Sequence, residues 1–219
     1  MKINYLNISV LLVGLMVFLK LFWNPKNYTS ITILGNSIVQ HPPDSSIGWL
    51  HNHGMAANEP DSDFVHILER NLKSVNPNIK IKFVNIADFE IDLSNYNISN
   101  LNAFKDSDIL IVKLSENMNY EGPEKLIFDR YDTLCNSLCP SHKVVIVGGF
   151  WPKKIVNKHL ESFAKSRKYP FVANIDLFSD SSNCAYGLYK HEGIQGHPSN
   201  KGMRKIAERI FEATKPLLK

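Results

Sequence analysis

Beyond residue 30 the chain alternates short apolar runs with longer stretches in which apolar side chains recur every three or four positions. The first run, Ile31-Thr32-Ile33-Leu34, stops at Gly35-Asn36-Ser37 and reads as a buried strand followed by a turn. Residues 79–86 alternate with Lys80 and Lys82 before turning mostly apolar, which predicts a second strand. Residues 108–114, 143–147 and 171–175 supply a third, fourth and fifth, the fourth closed by Gly148-Gly149. Helical spacing joins Phe64, Val65, Ile67, Leu68 and Leu72, which predicts a helix over 61–73 with Asp61 or Ser62 as its N-cap. Further helices are predicted over 121–138, with Pro123 near its first turn, over 153–167, and over 199–218 behind Ser199 or Asn200. A short helix is predicted at 99–104, a polar loop at 88–97 and a long loop at 180–193. Strands that alternate with helices predict an α/β fold with a parallel sheet covered on both faces. No internal repeat interrupts this order.

The first 23 residues follow a different pattern. Lys2 precedes an apolar run over 8–19, then Lys20 and Leu21-Phe22-Trp23. That run falls short of the ~20 residues that span a bilayer comfortably, but Lys20 can snorkel and extend it to Trp23. No small-residue cleavage site follows. The expected organisation is an N-terminal membrane anchor or signal segment over 1–23, a linker over 24–29 and one domain over 30–219. The domain is expected outside the cytoplasm, in the periplasm or at the cell surface. An apolar helix packed on the domain is the other reading of the leader.

The 219 residues suit one domain with a full core. The net charge of +4 is spread along the chain, without the basic stripe that nucleic acid requires. Cys135 and Cys139, four residues apart on a predicted helix, are poorly placed for a disulfide with each other. Cys184 can pair with either, or all three are buried thiols. His51 and His53 lack a third ligand and a metal is not expected.

Three residues carry candidate chemistry. Ser37 stands just past the end of the first strand, Asn117 follows the third, and His197 in Gly196-His197-Pro198 precedes the last helix. The C-terminal ends of strands are where open α/β sheets place their ligands. Over residues 30–214 the chain resembles the SGNH (GDSL-type) hydrolases, and within them a subgroup common among bacterial surface-polysaccharide loci. The Gly-Asp-Ser block reads Gly35-Asn36-Ser37, Gly54 in Gly54-Met55-Ala56-Ala57 matches the second block, and Asn117 survives from the third. Of the final Asp-x-x-His only His197 remains, with Ile194 in the place of the acid. The resemblance implies a three-layer α/β/α, flavodoxin-like fold with a five-stranded parallel sheet in the order 2-1-3-4-5.

The resemblance also implies a serine ester hydrolase that needs no cofactor. Ser37 is then the nucleophile, and His197 the base and afterwards the acid. The oxyanion hole is formed by the backbone N–H groups of Ser37 and Gly54 and the Asn117 amide. Asn36 is expected to pin the turn. With the acid absent, three outcomes stand open: a backbone carbonyl orients His197, Glu192 reaches back to it, or the site is crippled. Trp49 is read as a sugar-stacking wall or as a buried aromatic, and Trp151, in Phe150-Trp151-Pro152, as a second substrate wall. These residues suit removal of O-acetyl groups from an acylated small molecule or polysaccharide. An O-acyltransferase using the same serine and a catalytically weak glycan-binding protein are the alternatives.

Overall fold

The computed structural model describes residues 29–218. The expected anchor over 1–23, and all of the expected linker except Thr29, lie outside the described residues. Thr29 already belongs to the first strand. Among the described residues no helix is long and apolar enough to cross a membrane.

In chain order the elements are β1 (Thr29–Gly35), α1 (Phe64–Val75), β2 (Ile79–Asn85), α2 (Ala87–Ile91), β3 (Ile109–Lys113) and α3 (Glu124–Leu138). They continue with β4 (Val144–Val147), α4 (Lys154–Arg167), β5 (Phe171–Val172), α5 (Glu192–Gln195) and α6 (Asn200–Thr214). The five strands form one parallel sheet in the order β2-β1-β3-β4-β5, as the resemblance implied. Side chains alternate across the sheet because the strand repeat is two residues. Ile31, Ile33, Ile109, Ile111, Val145 and Val147 pack under α1 and α6. Leu34, Leu110, Val112, Val144 and Ile146 face the other way, under α3 and α4. Three layers result.

The chain leaves β1 for β2 on one side and then crosses to β3 on the other. The order therefore reverses at β1, and a crevice opens beyond the strand ends there. Gly35 at the end of β1 lies opposite Asn85 at the end of β2, and Lys113 ends β3 opposite Val147. Ser37 and Asn117 each follow one of these strands closely, so both emerge at the same edge.

Several local expectations change. The N-cap of α1 is Asp63, which accepts from His66 N at 2.8 Å, because Pro60–Ser62 already form a 3-10 turn. α3 starts at Glu124, later than the expected residue 121, with Pro123 as its N-cap. β5 is only two residues long. The segment 88–97, predicted as polar loop, contains most of α2, in which Phe89 and Glu90 are buried. Cys135, Cys139 and Cys184 are buried free thiols, so no disulfide forms.

Candidate active site

β1 ends in a turn that is packed too closely for a side chain. A Cβ on Gly35 would fall 2.1 Å from Val39 Cγ2 and 3.1 Å from Lys113 O. Asn36 is fully buried below the turn, and its Oδ1 accepts from Ile38 N at 3.1 Å, so it pins the turn. Ser37 then projects at the edge of the sheet. Its Oγ lies 2.9 Å from His197 Nε2, across 160 residues of sequence.

The short helix α5 sets the position of that imidazole. A helix of one turn leaves its carbonyls without intrahelical donors. His197 N–H takes Ile194 O at 2.9 Å, which leaves the Gly193 carbonyl without a backbone donor four residues on. His197 Nδ1 fills the gap at 2.8 Å. A carbonyl only accepts, so Nδ1 carries the proton and Nε2 presents its lone pair to the Ser37 hydroxyl. The Trp151 ring meets the imidazole edge-on, with centroids 5.1 Å apart, and its Nε1 donates to Gly196 O at 2.7 Å. Burial is the largest influence on His197 and lowers its pKa to about 4, although the Gly193 bond favours the charged form. The ring is therefore a neutral base at ordinary pH.

Ser37, His197, Asn117 and Trp151 line one cavity of about 300 Å³ with Ile47, Met55, Ile91, His41 and His191 on its walls. No Asp, Glu, Lys or Arg lines it. Among the described residues no group of three or more His, Cys, Asp or Glu side chains is arranged to hold a metal ion.

Three residues singled out in the sequence lie elsewhere. Gly54 is buried and its N–H donates to Asp63 Oδ2 at 3.1 Å, so it is not an oxyanion donor. The Ser37 amide, by contrast, makes no hydrogen bond among the described residues. Glu192 points to solvent at the start of α5 and makes no bond to His197, whose Nδ1 is already taken by Gly193. Trp49 is fully buried, donates Nε1 to His41 O at 3.1 Å and packs edge-on against His51 and His53. It is core, not a sugar platform.

The structure also reveals a buried polar network that the sequence reading missed. Asn36 Nδ2 lies 3.0 and 3.1 Å from the two Glu90 oxygens and 2.8 Å from Glu116 Oε2. Glu116 Oε1 accepts from the buried Lys113 ammonium and, at 2.9 Å, from Phe150 N. Asn117 Nδ2 donates to Glu90 Oε2 at 2.6 Å. Burial opposes the Glu116 charge, but Lys113 and the donated hydrogen bonds hold its carboxyl below the ordinary range. Two cues stood in the sequence: Lys113 at the end of an apolar strand and Glu116 three residues later.

No protein-family model and no curated protein matches the chain. Solved structures do. The psychrotrophic esterase EstA from Pseudoalteromonas sp., inhibited by monoethylphosphonate, is 14% identical over 87% of this chain and 98% of its own, with a TM-score of 0.55. LAE5, an alpha/beta hydrolase enzyme from the metagenome of Lake Arreo, is 16% identical over 86% and 96%, with a TM-score of 0.56. The fold is that of an SGNH hydrolase. A two-domain esterase active on acetylated mannans, co-crystallized with mannopentaose, matches over 94% of this chain and 53% of its own. Its identity is 15% and its TM-score 0.55. At such identities the likeness is one of fold, and the site must be judged on its own geometry.

Proposed function

We propose that the protein is a serine ester hydrolase that removes small acyl groups, acetyl above all, from a carbohydrate through a Ser-His dyad. The observation that carries this reading is the 2.9 Å contact between Ser37 Oγ and a His197 ring whose tautomer is fixed by Gly193. Ser37 Oγ attacks the acyl carbon as its proton passes to His197 Nε2. The Ser37 N–H and the Asn117 amide hold the oxyanion. The tetrahedral intermediate collapses, the leaving alcohol takes the proton from Nε2, and an acyl-Ser37 ester remains. Water then attacks the acyl carbon as its proton passes to Nε2, the bond to Ser37 Oγ breaks, Nε2 returns the proton to Oγ, and the acid leaves. A cavity of about 300 Å³ lies at the lower end of ligand sites and supports a small acyl group. The absence of Asp, Glu, Lys and Arg from its walls supports a neutral ester, and Trp151, which also lines it, is the proposed stacking wall for a sugar ring. The esterase active on acetylated mannans lends fold-level support to the carbohydrate.

The same proposal places the domain, residues 30–219, outside the cytoplasm behind an N-terminal anchor over residues 1–23, where surface polysaccharide is within reach. The test is mass spectrometry of the full-length chain after treatment with an organophosphonate. Labelling of Ser37 in the parent protein, lost in Ser37→Ala and in His197→Ala, is the expected result. An unlabelled Ser37 in folded protein counts against the proposal.

A further inference from the structure

The buried carboxylates beneath the site have no part in the mechanism above, yet one of them touches an oxyanion donor. Glu90 is 3% exposed on α2, immediately behind β2. Its Oε2 accepts from Asn117 Nδ2 at 2.6 Å, and both its oxygens accept from Asn36, the residue that pins the Ser37 turn. The carboxylate thus joins the turn of the nucleophile to the turn of the oxyanion donor. We propose that Glu90 is a positioning residue: its carboxylate selects which end of the Asn117 amide is held beneath the cavity and so sets the rate of acyl transfer at Ser37. The inference rests on the esterase reading of Ser37 and Asn117.

The selection follows from hydrogen-bond inventory. The oxygen and nitrogen ends of an asparagine amide have nearly the same shape, and only their partners distinguish them. An ionised carboxylate is purely an acceptor, so it holds the nitrogen end. One N–H of Asn117 then goes to Glu90 and the other stays available to an oxyanion. A carboxylic acid, or a glutamine, carries a donor as well and can receive the oxygen end instead. In that flipped state the Asn117 oxygen meets the developing negative charge and repels it.

The charge on Glu90 is finely balanced. The charged and titratable groups that face it are Glu116 and Lys113 from β3 and the turn behind it, and Tyr131 from α3. One ammonium serves two carboxylates, so ionised Glu90 leaves an excess of negative charge in a dry site. Burial first, and the Glu116 charge second, raise the Glu90 pKa to about 7, against hydrogen bonds from Asn117 and Asn36 and the pull of Lys113. The orientation of the oxyanion donor therefore responds to pH near neutrality. His197, neutral from well below that pH, does not.

The test uses the full-length chain and p-nitrophenyl acetate from pH 5 to 9. Glu90→Gln is expected to lower kcat at pH 8 by ~10- to 100-fold, up to the lower end of the ~10²–10³ that a lost oxyanion donor costs, and to leave KM within about twofold. It should also abolish the inflection near pH 7 in kcat/KM of the parent protein. In an Asn117→Ala background the same substitution should have no further effect on kcat, because both act through one group. An unchanged kcat in Glu90→Gln, or an equal loss with and without Asn117, overturns the proposal. If Glu90→Gln does not fold, the parent profile decides, and a kcat/KM without an inflection between pH 6 and 8 overturns it. A readout that needs no turnover separates this inference from the esterase reading. The side-chain amide resonances of Asn117, identified by their loss in Asn117→Ala, should titrate near pH 7 in ¹H–¹⁵N spectra. Titration without any ester turnover retains the Glu90–Asn117 coupling and removes the esterase. Turnover with an Asn117 amide indifferent to pH does the reverse.

Discussion

His197 Nδ1 donates to the backbone carbonyl of Gly193, 2.8 Å away and four residues earlier in the chain. Orphaned by the end of a one-turn helix, this carbonyl does the orienting work that the missing acid would do. It fixes the tautomer, but it brings no negative charge to stabilise an imidazolium. Glu192 is left with no role in the proton transfer. Glu192→Gln should therefore keep kcat for p-nitrophenyl acetate within about twofold of the parent. A loss of tenfold or more would show that the side chain reaches the ring during turnover and would end the dyad reading.

The depressed pKa of His197 has a direct kinetic consequence. The ring loses its proton at about 4, so it is already a competent base at pH 5. Any activity limb near neutrality then belongs to Glu90, ionising at about 7. In Glu90→Gln, kcat/KM should rise once, close to pH 4, and stay level up to pH 8. This profile reports the free enzyme. A limb that persists near 6.5 in that variant would assign it to His197 and contradict the burial argument.

The same carboxyl should cost stability. Its pKa is raised from 4.5 to about 7 on folding, so the native state holds its proton more tightly than the unfolded chain does. Below pH 4.5 both states are protonated and the group contributes nothing to the pH dependence. Between 4.5 and 7 only the unfolded chain ionises, so stability falls as pH rises, and above 7 the penalty is constant. Its size is about 3 kcal/mol at most, at 1.36 kcal/mol per unit. Urea unfolding should show Glu90→Gln more favourable, relative to the parent, at pH 8 than at pH 4. His197 titrates in the opposite sense between about 4 and 6.5, but identically in both proteins, so it cancels from the comparison. A difference independent of pH would mean that Glu90 ionises normally.

The two tryptophans should separate cleanly. Trp49 is fully buried, and Trp49→Ala should destabilise the fold by ~3–5 kcal/mol in a denaturant titration. Trp151 packs on the base and lines the cavity. Trp151→Ala should reduce kcat/KM on an acetylated sugar by ~10-fold or more while shifting the thermal midpoint less than Trp49→Ala does. The reverse ranking would reinstate Trp49 as the substrate wall.

Much of this protein was legible in one dimension. Strands and helices show in the spacing of Ile, Val and Leu because each element buries one face or both, and burial is written residue by residue. Ser37, Asn117 and His197 could be picked out because each sits where a strand ends or a helix begins. Local chemistry decided these features, so local sequence recorded them. Glu90 was hidden in a segment whose charges predict loop, because nothing nearby announces that Asn36, in the turn after β1, will donate to its carboxylate. Gly54 offered a plausible amide that Asp63 claims in the folded chain. Trp49 carried the same indole either way, and only the folded loop, which caps it with His41 O, made it core. The sequence by itself determined the order of the five strands and the longer helices, their alternation and three residues of the candidate site. Only the tertiary structure decided the partners of those residues, because a hydrogen bond is chosen among all groups the fold brings within about 3 Å, and most of those lie far away along the chain.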